Sequence, residues 1–240
     1  MKFPAYTAHE SARNRRGLYL ADEWSAIRAQ GDFATLQVEP NEANYRALLT
    51  LPEFSAKMQL ARDLCQRVDF SKWATLCDLG GVPYAQTLVV SQAAPRLRIV
   101  ASDFDATSNA LLRNVPSLAH FKIVDCDLKS SAFLEFADCN VAMMWGVEYA
   151  LSDRDFLRVL KFFAGQRADF IVCTPTAVTV WDGLRHVCRH WKSRLKGVRD
   201  RRHGWTRTLG HFARLFAKAG YSIRQNFKSG NTTFMVLTPR

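Results

Sequence analysis

Asp78, Gly80 and Gly81 close the stretch CDLGGVPYA, where an apolar run ends in an acid and two glycines. Asp103 ends the next apolar run, 25 residues later. A carboxylate there can take both hydroxyls of a ribose, because in an open parallel sheet the strand carboxyl ends form the ligand crevice. The third run ends in DCDL, which puts Asp125 and Asp127 where an adenine edge would lie, and the fourth runs into MMWGVEYAL, which brings Trp145, Gly146 and Glu148 to the same rim. Glycine supplies close backbone approach and positive φ, and acids supply hydrogen-bond acceptors.

These residues need strands that end together. The runs are WATLCDL, LRIVAS, FKIVD, CNVAMMW and ADFIVCT, with helical candidates at about 84–93, 106–113, 130–136 and 153–165. Short, nearly continuous apolar runs separated by helices predict central strands of a parallel sheet covered on both faces. TLGHFARLFAKAG then places Leu209, Phe212, Leu215, Phe216 and Ala219 on one helical face, with Gly220 as the natural C-cap. YSIRQNF and TTFMVLTP are joined by KSGN, too short for a crossover helix, so they form an antiparallel hairpin. Upstream, residues 1–70 read as mostly helical: Asn41 or Asn44 can cap one helix, and Phe54, Met58, Ala61, Leu64, Cys65 and Val68 share a face of the next.

A chain of 240 residues can bury a large core without staples. No two of its six cysteines form a C-x-x-C pair, which fits reduced thiols in a cytoplasmic core. No apolar stretch approaches the roughly 18 residues needed to span a bilayer, and MKFPAYTAHESARNRR lacks the apolar centre of an export signal. The net charge of +11 is local rather than spread, since nine Arg or Lys against one Asp lie between Arg185 and Arg207.

Taken in order, these motifs resemble the class I S-adenosylmethionine (SAM)-dependent methyltransferases over about residues 70–240. That family opens its cofactor loop with D-x-G-x-G-x-G; here DLGGVPY keeps Asp78 and Gly80 and carries Val82 and Tyr84 where later glycines would stand. The resemblance implies an α/β, Rossmann-like three-layer sandwich. Its sheet is mostly parallel and seven-stranded with the C-terminal antiparallel hairpin, residues 1–70 form an N-terminal helical cap, and residues 71–240 form the methyltransferase-like domain. It further implies SAM as cofactor, with the turn from Asp78 to Gly81 at its amino-acid end, Asp103 on the ribose, Phe104 packed on adenine, and Asp127 with Leu128 beside the adenine. Tyr84 lies against the cofactor if the altered loop follows a different path, and Trp145 can flank the sulfonium or the acceptor. If the loop is instead occluded, the chain is a non-catalytic interaction protein.

Methyl transfer needs mainly alignment of nucleophile, methyl and sulfur, with a base when the acceptor is a hydroxyl. His203 and Glu148 are the leading candidates for that base, with His186 and His190 behind them. The i, i+4 spacing of His186 and His190 suits metal ligands, but no third ligand accompanies them, and no metal is expected. The implied activity is methylation of a small-molecule or sugar-like acceptor, oxygen favoured over nitrogen, with an RNA methyltransferase as the alternative enzyme. The basic insertion at about 182–207 reads first as an amphipathic helix built on Leu184, Val187, Trp191 and Leu195. It can hold an anionic acceptor, or RNA through the cations between Arg185 and Arg207. Tyr6, Tyr19, Trp24 and Tyr45 are candidates for a lid over the crevice.

Overall fold

The computed structural model describes residues 1–8, 40–129, 133–175, 177–197 and 200–240. The elements are β1 (Lys2–Ala8), α1 (Glu42–Thr50), α2 (Pro52–Arg67), β2 (Thr75–Leu79), α3 (Ala85–Ala93), β3 (Arg98–Asp103), α4 (Ala106–Leu112), β4 (Phe121–Asp125), β5 (Val141–Trp145), α5 (Asp153–Gly165), β6 (Asp169–Thr174), β7 (Ala177–Val178), α6 (Val180–Leu195), β8 (Asp200–Thr208), α7 (Leu209–Ala219), β9 (Tyr221–Ser229) and β10 (Thr232–Pro239).

Seven strands form the main sheet in the order β4-β3-β2-β5-β6-β10-β9. The first five run parallel, and β10 is antiparallel to both β6 and β9. Strand order reverses between β2 and β5, so the crevice of this sheet opens beyond their carboxyl ends. The expected mixed sheet with its terminal hairpin is therefore the architecture found.

The near-continuous apolarity of the central strands has a direct structural cause. Successive side chains of a strand point to opposite faces. In β5, Val141, Met143 and Trp145 enter one core, with Tyr45, Leu64 and Leu88 from the helices. Ala142 and Met144 enter the other, with Phe156, Phe163, Phe212 and Phe216. Each face is covered by helices, so neither set can be polar. Local chemistry fixes the helix ends: the Asn41 side chain accepts from the Asn44 N–H at 2.9 Å, Ser152 accepts from the Asp155 N–H at 3.1 Å, and Gly220 at φ +89° ends α7.

The N-terminal region departs from the helical expectation at its start, because residues 2–8 are a strand. β1 pairs antiparallel with β8, and β8 pairs parallel with β7, in a second sheet of order β1-β8-β7. Neither β1 nor β8 shows period-two apolarity, and DRRHGWTRT carries charge at four of its nine positions. Pairing across nearly the whole chain decides their conformation, which local propensity does not reveal. Of the helix expected at 130–136, the described part is a single 3-10 turn at Leu134–Phe136. No helix among the described residues is long and apolar enough to cross a membrane.

Candidate functional site

The turn after β2 is built around a buried acid. Asp78 accepts from the Thr87 hydroxyl of α3, while its Oδ1 is buried with no hydrogen-bond partner among the described residues. Burial pushes its carboxyl up to about 7, and the Asp103 charge adds to the rise. A β-carbon on Gly81 would come within 2.6 Å of Asp78 Cγ, so the chain folds back over the carboxylate only because residue 81 has no side chain. Gly80 sits at φ +78°, where a β-carbon would lie 2.8 Å from Val147 Cγ2. That approach joins the β2 turn to the segment after β5, across the point where strand order reverses. The N–H groups of Gly80 and Gly81 both donate to the Ser102 carbonyl, at 2.7 and 3.3 Å.

Asp103 stands at the end of β3, 7% exposed. Burial pushes its carboxyl up to about 6, against the backbone N–H groups of Asp105, Val82 and Phe104 that face it. The Asp105 N–H donates to its Oδ1 at 3.1 Å. Phe104 follows with 49% of its surface exposed at the rim. Asp127 is exposed and accepts from the Lys129 N–H at 2.9 Å, while Leu128 turns into the core and its carbonyl accepts from Arg158 at 2.6 Å. Asp78, Gly80, Gly81, Asp103 and Phe104 are thus brought together along one rim, with Asp127 and Leu128 just beyond β4.

Other residues lie deeper. Tyr84, in the left-handed region at φ 64°, is fully buried, and its hydroxyl donates to Asn109 Oδ1 at 2.6 Å. Trp145 packs edge-on against Phe234 with ring centroids 5.5 Å apart. Glu148 is fully buried and accepts from the Thr174 hydroxyl. Tyr45 is also buried, and its hydroxyl donates to the Pro83 carbonyl at 2.9 Å, which ties α1 to the cofactor-loop candidate. Tyr19 and Trp24 lie outside the described residues, as do the side chains of Tyr6 and His203. The backbone of His203 falls at a bulge in β8, between Arg202 and Gly204. Gly204 approaches Tyr149 closely enough that a β-carbon would stand 3.1 Å from its carbonyl carbon, so β8 lies against the post-β5 segment.

Asn109 was not among the residues expected from the sequence, yet it organises this rim. Its amide donates to the Asp103 carbonyl at 3.1 Å, the Val124 carbonyl at 3.2 Å and Asp125 Oδ1 at 2.8 Å. It thereby locks the ends of β3 and β4 to Tyr84. The one signal for it was an amide in the helical stretch ATSNALL that directly follows the Asp103 rim.

Arg207 changes the reading of the basic segment. Its side chain has no exposed surface: Nη1 donates to the Glu148 carbonyl at 2.8 Å, Nη2 to the Leu151 carbonyl at 2.7 Å, and Nε to Asp153 Oδ1 at 3.1 Å. Asp153 also takes His211 Nε2 at 2.9 Å and Lys2 Nζ at 3.3 Å. Arg207 therefore belongs to an internal network and cannot contact RNA, which corrects the expectation for that end of the segment. The side chains of Arg199, Arg201 and Arg202 lie outside the described residues. Among the described residues, no three His, Cys, Asp or Glu side chains come together as a metal site.

No protein-family model matches the chain, and no curated protein sequence does. Solved structures do. The mitomycin 7-O-methyltransferase MmcR superposes with a TM-score of 0.60 at 18% identity, over 90% of this chain and 63% of that one. Human N-acetylserotonin methyltransferase, solved in complex with SAM, gives 0.62 at 16% identity, over 96% of this chain and 65% of that one. The N,N-8-amino-8-demethyl-D-riboflavin dimethyltransferase of Streptomyces davawensis gives 0.60 at 16%, over 98% of this chain and 65% of that one. At these identities the likeness is one of fold, and the fold is that of the class I SAM-dependent methyltransferases. The chain spans less than two thirds of the length of these structures.

Proposed function

We propose that the chain is a SAM-dependent methyltransferase acting on a small-molecule or sugar-like acceptor. The observation that carries this reading is the pairing of Asp78 and Asp103 at the reversal point of the sheet. Two buried acids on adjacent strands flank a turn that closes only because residue 81 is glycine. The residues present fit SAM. The buried, unpartnered Asp78 Oδ1 is an acceptor suited to an ammonium group, and the exposed Phe104 ring offers a face to adenine.

When bound, SAM supplies a methyl group already activated on a sulfonium. Asp103 would hold the ribose hydroxyls, Asp127 the adenine amine, and the turn from Asp78 to Gly81 the amino-acid end. The protein's remaining task is alignment and exclusion of water. Glu148 is assigned a positioning role in this conformation, because its carboxylate is bonded to Thr174 inside the protein. The nearby β8 makes His203 the base to test for a hydroxyl acceptor. Oxygen is preferred to nitrogen as the acceptor atom, and the similar structures include proteins named for each kind of acceptor.

A specific observation favours a second reading, a non-catalytic interaction protein of the same fold. The Val82 N–H already faces the Asp103 carboxylate, and Tyr84 is committed to Asn109, so the loop is closed over its own acid. Calorimetric titration with SAM and S-adenosylhomocysteine, on the parent and on Asp103→Ala, separates the two. Saturable binding, weakened roughly 30-fold or more by losing two charge-assisted hydrogen bonds, supports the enzyme. Absence of binding at millimolar ligand establishes the closed-loop protein.

A further inference from the structure

We propose that α6 docks this protein onto an anionic lipid bilayer surface. The inference stands on α6 alone and does not depend on the methyltransferase reading.

α6 carries Trp181, Leu184, Cys188, Trp191 and Leu195 at alternating steps of three and four residues. At 100° per residue these fall on one stripe along about 21 Å of helix. All five are exposed, Trp181 at 75% and Leu195 at 85%. Soluble surfaces scatter single apolar residues, but they rarely align two tryptophans and two leucines on one edge. The helix is anchored elsewhere: Gly183 is buried, and a β-carbon there would overlap the Phe3 ring of β1. The apolar stripe therefore lies away from the anchored side.

The residues beside the stripe identify the partner. Arg185, Arg189, Lys192 and Lys196 follow the same repeat, about one residue further round the helix, and all four are exposed. The stripe's own flank holds one acid, Asp182, which lies 3.7 Å from Arg185. A plane laid along this edge touches the apolar stripe and the cationic stripe together. That is the pattern of a helix lying in a membrane interface, with apolar side chains in the acyl boundary and cations on the headgroups. An antiparallel second copy fits poorly, because pairing two α6 stripes that way would set their cation rows side by side. RNA would use the cations and could stack the tryptophans, but gains nothing from Leu184 and Leu195. An apolar groove on a protein would bury the indole N–H groups of Trp181 and Trp191, whereas the headgroup layer leaves them hydrated.

The test uses the full chain and extruded vesicles, either pure phosphatidylcholine or equal parts phosphatidylcholine and phosphatidylglycerol. Co-sedimentation and tryptophan emission are read for the parent, for Trp181→Ser/Trp191→Ser/Leu195→Ser, and for Arg185→Gln/Arg189→Gln/Lys192→Gln. The parent is expected to sediment with anionic vesicles, with blue-shifted emission, and not with neutral ones. Each removed charge should weaken binding about fivefold, and the apolar triple variant should lose both binding and the emission shift. All the substituted side chains are exposed, so both variants should melt with the parent, and either one alone is enough to decide the matter. Failure to bind anionic vesicles overturns the proposal. So does binding unaffected by the apolar variant and displaced by an RNA oligonucleotide, which would make α6 a nucleic-acid surface. A concentration-dependent dimer that the apolar variant abolishes, without vesicle binding, would overturn it in favour of a second copy.

Discussion

Arg207 Nη1 donates to the Glu148 carbonyl at 2.8 Å in the protein interior, although 59 residues separate them. Through this bond the small sheet of β1, β8 and β7 is fastened to the rim of the main sheet. Arg207→Met removes the donor and leaves the carbonyls of Glu148 and Leu151 without it, while Asp153 keeps Lys2 and His211. The expected loss is about 3 kcal/mol, the lower end for breaking a buried charged network. Urea unfolding measures it, and an unchanged midpoint would show that the network contributes no stability.

Asp78 titrates in the neutral range because burial raises its carboxyl to about 7. The folded value lies above the unfolded one, so between about pH 4 and pH 7 the folded protein holds a proton that the unfolded chain has released. Stability from this group is therefore fully present below about pH 4 and falls as pH rises through 7. Asp78→Asn keeps an acceptor for Thr87 and cannot ionise. It should stabilise the ligand-free protein by about 1–4 kcal/mol at pH 8 and by almost nothing at pH 4, given the value of about 7. Thermal melts at the two pH values decide; equal effects at both would refute the buried charge.

Gly81→Ala forces a methyl group into the Asp78 carboxylate, with Cβ and Cγ only 2.6 Å apart unless the turn moves. Overpacking of this kind costs about 1–3 kcal/mol. The turn is also where the amino-acid end of SAM is proposed to sit, so the variant should melt lower and bind SAM at least tenfold more weakly. A variant that folds and binds as the parent does would show that the turn has room to spare.

Phe104→Ala separates ligand contact from stability. The ring is half exposed at the rim, so its removal should leave the melting temperature within about 2 °C of the parent. A stacking contact with adenine is worth about 0.5–1.5 kcal/mol, a factor of roughly 2 to 12 in SAM affinity by calorimetry. Unchanged affinity would remove Phe104 from the site.

Much of this protein could be read from residue order alone. Five apolar runs with helices between them, then a helix ending in Gly220 and a hairpin too short for a crossover, specify the strand directions of the main sheet. Strand ends follow from strand starts, so Asp78, Gly80, Gly81, Asp103 and Phe104 could be assigned to one rim before any coordinate. Both readings rest on local pattern, which the chain carries within each segment. Tertiary structure decided what depends on distant partners. β1 and β8 are strands because they pair with each other across the length of the chain, not because either looks like one. Arg207 is a buried strut rather than a surface cation because two carbonyls and Asp153 replace its water, and those acceptors lie more than 50 residues away. Tyr84 and Glu148 turn inward for the same reason: Asn109 accepts from the Tyr84 hydroxyl and Thr174 donates to the Glu148 carboxylate in the interior, and no sequence spacing announces such a partner.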